Sequence, residues 1–277
     1  MKACASHLLC DSRRYPDLAA VVTRVREAGF TAIEVGAFER WRQGLSPRRL
    51  AEDRAYADES LRILSDSGLA VPSINCAPGP ELLRGGPDDV AGYANELAGV
   101  TRFAKRVGAT HITLQIPAKP DDWTTETTVR EYSSRLRAVF DRVAPPESVR
   151  FGMETHAGTF MEQPATALRV VTELWPTAGI TYDPSHQIMI GIPLDQTLEL
   201  FQYTNKAHLR DARAGEMQAA FGEGELDADW VLTRLADHGY DDYVTVEYFM
   251  DFDPDFVSAK ALRSRIESAA DTNHTRE

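Results

Sequence analysis

Short apolar runs alternate with longer amphipathic ones from one end of the chain to the other, and this alternation limits the fold more than any single motif. The short runs are "KACAS" (2–6), "AIEVG" (32–36), "VPSIN" (71–75), "HITLQI" (111–116), "RFGMET" (150–155), "GITYD" (179–183), "KAHLR" (206–210) and "YVTVEY" (243–248). Each is β-rich or apolar and bounded by Gly, Pro, Asp or Asn, as strands are. The stretches between them read as helices. "YPDLAAVVTRVREAG" carries Pro16 in a first turn, apolar residues at helical spacing and Gly29 as a stop. The same pattern predicts one helix over 46–68 and another over 87–108, with further helices near 125–142, 164–174, 194–201, 227–238 and 255–269. Eight strands, each followed by a helix, in 277 residues predict an α/β protein: a single-domain (β/α)8 TIM barrel over residues 1–277. No G-x-G-x-x-G follows the first strand, which weakens an open dinucleotide-binding sheet. The polar tail 269–277 is expected to fray.

Composition narrows the partners. With 43% hydrophobic and 26% charged residues the chain can build a large core. Its net charge of -12 argues against nucleic acid and against an anionic membrane surface, both of which favour basic faces. No run is apolar enough to span a bilayer, and the first residues lack the apolar core of a signal peptide. Cys4, Cys10 and Cys76 are too few and too scattered for a disulfide framework or a zinc ribbon, which predicts the cytoplasm.

In such a barrel the active site lies at the C-terminal ends of the strands. Four consecutive strand ends carry chemistry there: Glu154 with His156 nearby, Asp183 followed by His186, His208 with Asp211 nearby, and Glu247. Strands 2, 3 and 4 add Glu34, Asn75 and Gln115. Three carboxylates and an imidazole at one mouth would repel and lose hydration unless a cation joins them. Oxygen-rich ligation with one imidazole suits Mn²⁺, with Mg²⁺ or Co²⁺ as alternatives. Each residue also has a purely structural reading. Glu154 alone reads as a surface residue and Glu247 as an ion-pair partner. Asp183 before Pro184 reads as a turn opener, His186 as a helix cap, and His208 as a hydrogen-bonded core histidine. For Asp211, holding the loop after strand 7 is as good a reading as a functional one. Four ligating residues, of three types, at equivalent places in adjacent βα units favour the metal.

The segments "AGFTAIEVG", "METH", "YDPSH", "AHLRDA" with "FGEGELD", and "GYDDYVTVEYF" resemble the xylose-isomerase-like barrel superfamily, the sugar isomerase/epimerase group that includes D-tagatose 3-epimerase, hydroxypyruvate isomerase and inosose dehydratase. The resemblance covers almost the whole chain. It implies that Glu154, Asp183, His208 and Glu247 hold one divalent metal, that Glu154 and Glu247 face each other across the substrate carbon as acid and base, and that His186 and Arg213 reach substrate oxygens. His156, Gln115, Trp123 and Trp41 are further expected substrate contacts, although the two tryptophans read equally well as loop anchors. Glu162 departs from the position where ketose epimerases often carry another carboxylate. The implied activity is metal-dependent isomerisation or epimerisation of a keto-sugar or cyclitol ketone. The alternative is a lyase of the same group, an inosose-type dehydratase or an enzyme eliminating from a 3-keto sugar. A dimer or tetramer is expected. An abasic-site endonuclease would need more His and Asp ligands and a basic groove, and a non-catalytic subunit would not need the ligand quartet.

Overall fold

The computed structural model describes residues 1–249 and 252–274. Its eight strands are β1 (Lys2–Ser6), β2 (Ile33–Phe38), β3 (Ser73–Ala77), β4 (His111–Leu114), β5 (Arg150–Glu154), β6 (Ala178–Tyr182), β7 (Thr204–Leu209) and β8 (Tyr243–Val246). Each pairs in parallel with the next, and β8 returns to β1, so the sheet is a closed barrel. The expected fold class is therefore the observed one, a single-domain TIM barrel.

The helices follow their local signals. Asp17 caps α1 (Leu18–Glu27) by accepting from the Ala20 amide at 2.9 Å. The helix expected over 46–68 is two: α2 (Pro47–Glu52) and α3 (Arg54–Ser67). Asp53 divides them because its carboxylate accepts the Tyr56 amide at 2.9 Å and so starts a new helix in mid-pattern. Gly68, at φ 72°, ends it where the periodicity ends. Next come α4 (Pro87–Val107), α5 (Thr125–Val143) and α6 (Pro164–Leu174). After β6 the chain makes a short α7 (Pro184–Met189) and then a 3₁₀ stretch, Leu194–Tyr203, where an α-helix was expected. There the Thr197 hydroxyl donates to Leu194 O at 2.6 Å and pairs with the Tyr182 hydroxyl at 2.8 Å. Last are α8 (Ala228–Asp237) and α9 (Val257–His274). Helix α9 carries most of the tail that was expected to fray, and residues 275–277 lie outside the described residues.

Strand alternation sorts the side chains. Ile33, Val35, Ile74, Ile112, Phe151, Met153, Ile180, Leu209 and Val246 are all fully buried between sheet and helices. The opposite set faces the barrel axis and is polar: the Thr113 and Thr181 hydroxyls meet there at 3.0 Å. Gly152 belongs to this inner set, and a Cβ there would overlap Thr181 and Asn205. Among the described residues no helix is long and apolar enough to cross a membrane.

Candidate active site

The inward face of β7 runs Lys206, His208 and, just past the strand, Arg210, two residues apart along one side of the chain. Neighbouring strands add Glu154 at the end of β5, Asp183 just past β6, and Glu247 just past β8. Glu154, Asp183, His208 and Glu247 are all buried, and each offers a ligand atom such that the four lie within 4.8 Å of one another. The four residues expected to converge do so.

The two oxygens of Asp183 have different surroundings. Its Oδ1 accepts from the Ser185 amide at 3.0 Å and the Ser185 hydroxyl at 2.6 Å, which starts α7. Its Oδ2 accepts no well-directed hydrogen bond, although it is buried with an Arg210 guanidinium nitrogen 2.9 Å away. A buried carboxylate oxygen with an open lone pair, beside two further carboxylates and an imidazole nitrogen, is a donor set for a hard divalent ion.

Two amides tie the glutamates together. Gln115 donates to Glu154 Oε2 and, at 3.0 Å, to Asn75 Oδ1; Asn75 donates to Glu247 Oε1 at 3.3 Å. His208 Nδ1 lies 3.2 Å from Glu154 Oε1 and 3.3 Å from Glu247 Oε2. Arg210 clamps Glu247 by donating to its backbone carbonyl at 2.8 Å and its Oε2 at 3.0 Å. These bonds hold both carboxylates before any ligand arrives.

The charges press on one another. Burial opposes protonation of His208, but the charges of Glu34 and Glu247 and the hydrogen bond to Glu154 outweigh it and hold the imidazole well above its ordinary range. Burial pushes Glu154 up, yet the hydrogen bond and charge of His208 prevail and bring it down to about 2. For Glu247 burial prevails, aided by the Glu154 charge, and its carboxyl rises. His186 goes well below the ordinary histidine range, through burial and then the Arg210 charge, so it is neutral at pH 7.

Above these groups opens a cavity of about 320 Å³. Its floor is polar: Asn75, Gln115, Glu154, His186, Arg210 and Glu247. Its wall is Leu8, Phe38, Trp41 and Phe249, with His156 and Arg40. The His156 and His186 rings lie against each other at a 38° tilt with centroids 3.8 Å apart, and His156 Nδ1 donates to the Ala157 carbonyl at 2.6 Å. Phe38 meets Trp41 edge to face at 4.5 Å, and Arg40 lies over the Trp41 ring at 4.6 Å.

Four expected substrate contacts, His186, His156, Gln115 and Trp41, line this cavity. Two do not. Arg213 lies beyond the strand on the solvent side, where its half-exposed guanidinium pairs with Glu216 at 3.4 Å. Arg210 is the buried cation on the pocket floor instead, because two residues on from His208 at the end of β7 the side chain returns to the inward face, whereas Arg213 lies in the loop beyond. Trp123 packs partly buried against the core, with Lys119 Nζ donating to its carbonyl at 2.9 Å, and so anchors its loop. Asp211 takes its structural reading: it accepts from the amides of Gly222 at 2.8 Å, Gly224 at 3.1 Å and Leu226 at 3.1 Å, which folds the "FGEGELD" loop around it. Glu162 accepts from the Gly158 amide at 2.8 Å in the loop after β5. Sequence reasoning assigned no role to Arg210 and missed Phe38, Leu8 and Phe249. The period-two rule carried through "AHLRD" was the signal available for Arg210.

The family profile described as a xylose isomerase-like TIM barrel matches residues 22–268. No curated protein matches the chain in sequence. Among solved structures, a D-tagatose 3-epimerase-like protein superposes with a TM-score of 0.78 at 16% identity, covering 100% of this chain and 99% of that one. The IOLI protein with a bound zinc atom gives 0.73 at 17% identity, covering 98% and 96%. A 3-keto-D-glucoside 4-epimerase from E. coli, in its apo form, gives 0.70 at 16% identity, covering 98% and 99%. At these identities the likeness is one of fold.

Proposed function

Because the chain belongs to the xylose isomerase-like TIM barrel family, we propose that it is a divalent-metal-dependent isomerase or epimerase of a keto-sugar or cyclitol ketone. The observation that carries this reading is the convergence of Glu154, Asp183, His208 and Glu247 within 4.8 Å of one another, with Glu154 and Glu247 opening onto the floor of a cavity. The epimerases of like fold support it. Glu154, Asp183, His208 and Glu247 would hold the ion, Mn²⁺ by the oxygen-rich character of the set, and when bound it supplies Lewis-acid polarisation of a carbonyl and its neighbouring hydroxyl.

The remaining chemistry belongs to the chain. Glu154 and Glu247 come from opposite ends of the β5–β8 arc and are fixed by Gln115, Asn75 and Arg210. One removes a proton from the carbon next to the carbonyl and the other delivers one, work worth about 10²–10⁴-fold in rate for a positioned acid or base. Delivery to the opposite face of the same carbon epimerises it; delivery to the neighbouring carbon isomerises. His186 and Arg210 hold substrate oxygens on the floor, the place first expected of Arg213, while Trp41, Phe38 and Phe249 cover the apolar face and keep water out. Elimination of a β-leaving group is the second reading. Glu247 favours it, since a carboxyl that burial pushes up can hand its proton to a departing hydroxyl as well as to carbon, after Glu154 has taken the proton from the neighbouring carbon.

A panel of keto-sugars and inososes, incubated with Mn²⁺-loaded protein in D₂O and followed by NMR and mass spectrometry, tests both. Deuterium entering one C–H position with carbon skeleton and oxygens intact supports the isomerase. Loss of water or an aglycone marks the lyase. No exchange with any member, by protein that holds the ion, overturns the proposal.

A further inference from the structure

We infer that Glu34 and Lys206, one layer below the ligand quartet, form a positioning pair that fixes which nitrogen of His208 meets the metal. This rests on the metal centre proposed above. An imidazole ligates through the lone pair of one nitrogen, so its other nitrogen carries a proton. In a fully buried site that proton needs an acceptor from the protein, and the acceptor sets both tautomer and ring orientation.

The geometry supplies one. His208 Nδ1 faces Glu154 and Glu247, the quartet side. His208 Nε2 faces Glu34 from β2, at 3.0 Å to Oε1 and 3.2 Å to Oε2. Both residues are completely buried. Glu34 is itself anchored: the Ser73 hydroxyl donates to its Oε2 at 2.5 Å, and Lys206 Nζ stands 3.7 Å from the same oxygen. Lys206 in turn donates to the Tyr243 carbonyl at 3.1 Å. It sits two residues before His208 on β7, so both side chains share the strand's inward face.

A buried Glu34–Lys206 ion pair that only closes the barrel is the competing account. The distances decide against it. Glu34 is closer to His208 with both oxygens than to Lys206 with either, so the imidazole is its main partner and the ammonium balances the charge. Nδ1 is then the ligating nitrogen and Nε2–H the donor to Glu34, a carboxylate–histidine–metal relay.

Two measurements on the whole 277-residue chain test this. The first is ¹⁵N NMR of histidine-labelled, Zn²⁺-loaded wild type. A proton on His208 Nε2 with metal on Nδ1 is expected, and the reverse assignment overturns the inference without any variant. The second is calorimetric titration of metal-free protein with Mn²⁺. Glu34→Gln is expected to raise the dissociation constant about tenfold to hundredfold, as loss of such an outer partner does elsewhere. Glu34→Gln/Lys206→Met, which leaves no buried ammonium unpaired, should weaken binding in the same range while keeping the native circular dichroism. A folded double variant within twofold of wild type overturns the inference and leaves the functional reading standing. A wild type that binds neither Mn²⁺ nor Zn²⁺ takes down both.

Discussion

His7 lies behind the aromatic wall of the cavity, and its burial predicts a pH-dependent stability that can be isolated. The ring is fully buried, accepts the Gly36 amide at Nδ1 (2.9 Å), and lies against Phe38 and Trp41 with centroids 6.2 and 5.8 Å away. Burial lowers its pKa from 6.5 to about 4, against a smaller upward pull from Glu34. The unfolded chain takes up this proton as pH falls through 6.5, and the folded one does not until about 4. Stability from this site is therefore intact above 6.5 and is lost on acidification across that window. At about 1.36 kcal/mol per pH unit, the loss is about 2 kcal/mol by pH 5 and about 3 kcal/mol by pH 4. His7→Asn keeps an acceptor for the Gly36 amide but does not titrate here. It costs packing at every pH, so the informative quantity is the gap between wild type and variant. Urea unfolding at pH 7, 6, 5 and 4.5 should show that gap shrinking by about 2 kcal/mol between pH 7 and 5. A gap constant across the series would refute the claim that the folded protein holds His7 neutral.

Other expectations follow from single contacts. Glu154→Gln and Glu247→Gln should each lower kcat by about 10²–10⁴-fold and abolish deuterium wash-in, read by NMR on whichever substrate the panel identifies. Arg210→Met strands Asp183 and Glu247, and in metal-free protein it should cost about 3–5 kcal/mol in urea unfolding, with a smaller loss in Mn²⁺. Arg213→Ala, at the exposed Glu216 pair, should leave kcat/KM within twofold of wild type. Gly36→Ala places a Cβ into the His7 ring and should destabilise by about 1–3 kcal/mol or more, measured by thermal unfolding.

The barrel was legible because strand ends, caps and glycine stops are local. All eight strands lie within two residues of their expected bounds at each end, and the helix boundary that differs, at Asp53, came from a side chain that caps in mid-pattern. The ligand quartet was legible because its members stand at matching strand ends. Arg210 directly continues the inward face of β7 whereas Arg213 lies in the loop beyond it, and the family resemblance, rather than the period-two rule, drew attention to Arg213. Phe38, Leu8 and Phe249 gave no signal, since apolar residues at a strand end read as core until the closed barrel shows a cavity beside them. Glu34 was visible as an inward carboxylate, but its pairing with His208 spans 174 residues and depends on closure of the sheet.

The column on β7 also explains why a doubly charged ion, rather than a singly charged one, suits this floor. Four buried carboxylates, Glu34, Glu154, Asp183 and Glu247, meet one ammonium, Lys206, and one guanidinium, Arg210. Two negative charges remain, in a region where each unmatched charge is costly. In the protein alone, protons relieve the excess: His208 is held well above its usual range, and Glu247 is pushed up. For His208 the cause is the surrounding carboxylate charge; for Glu247 it is burial first, with the Glu154 charge adding to it. A divalent cation would remove the excess outright, so the charge balance of the floor and the proton transfer proposed for Glu247 point to the same kind of ion.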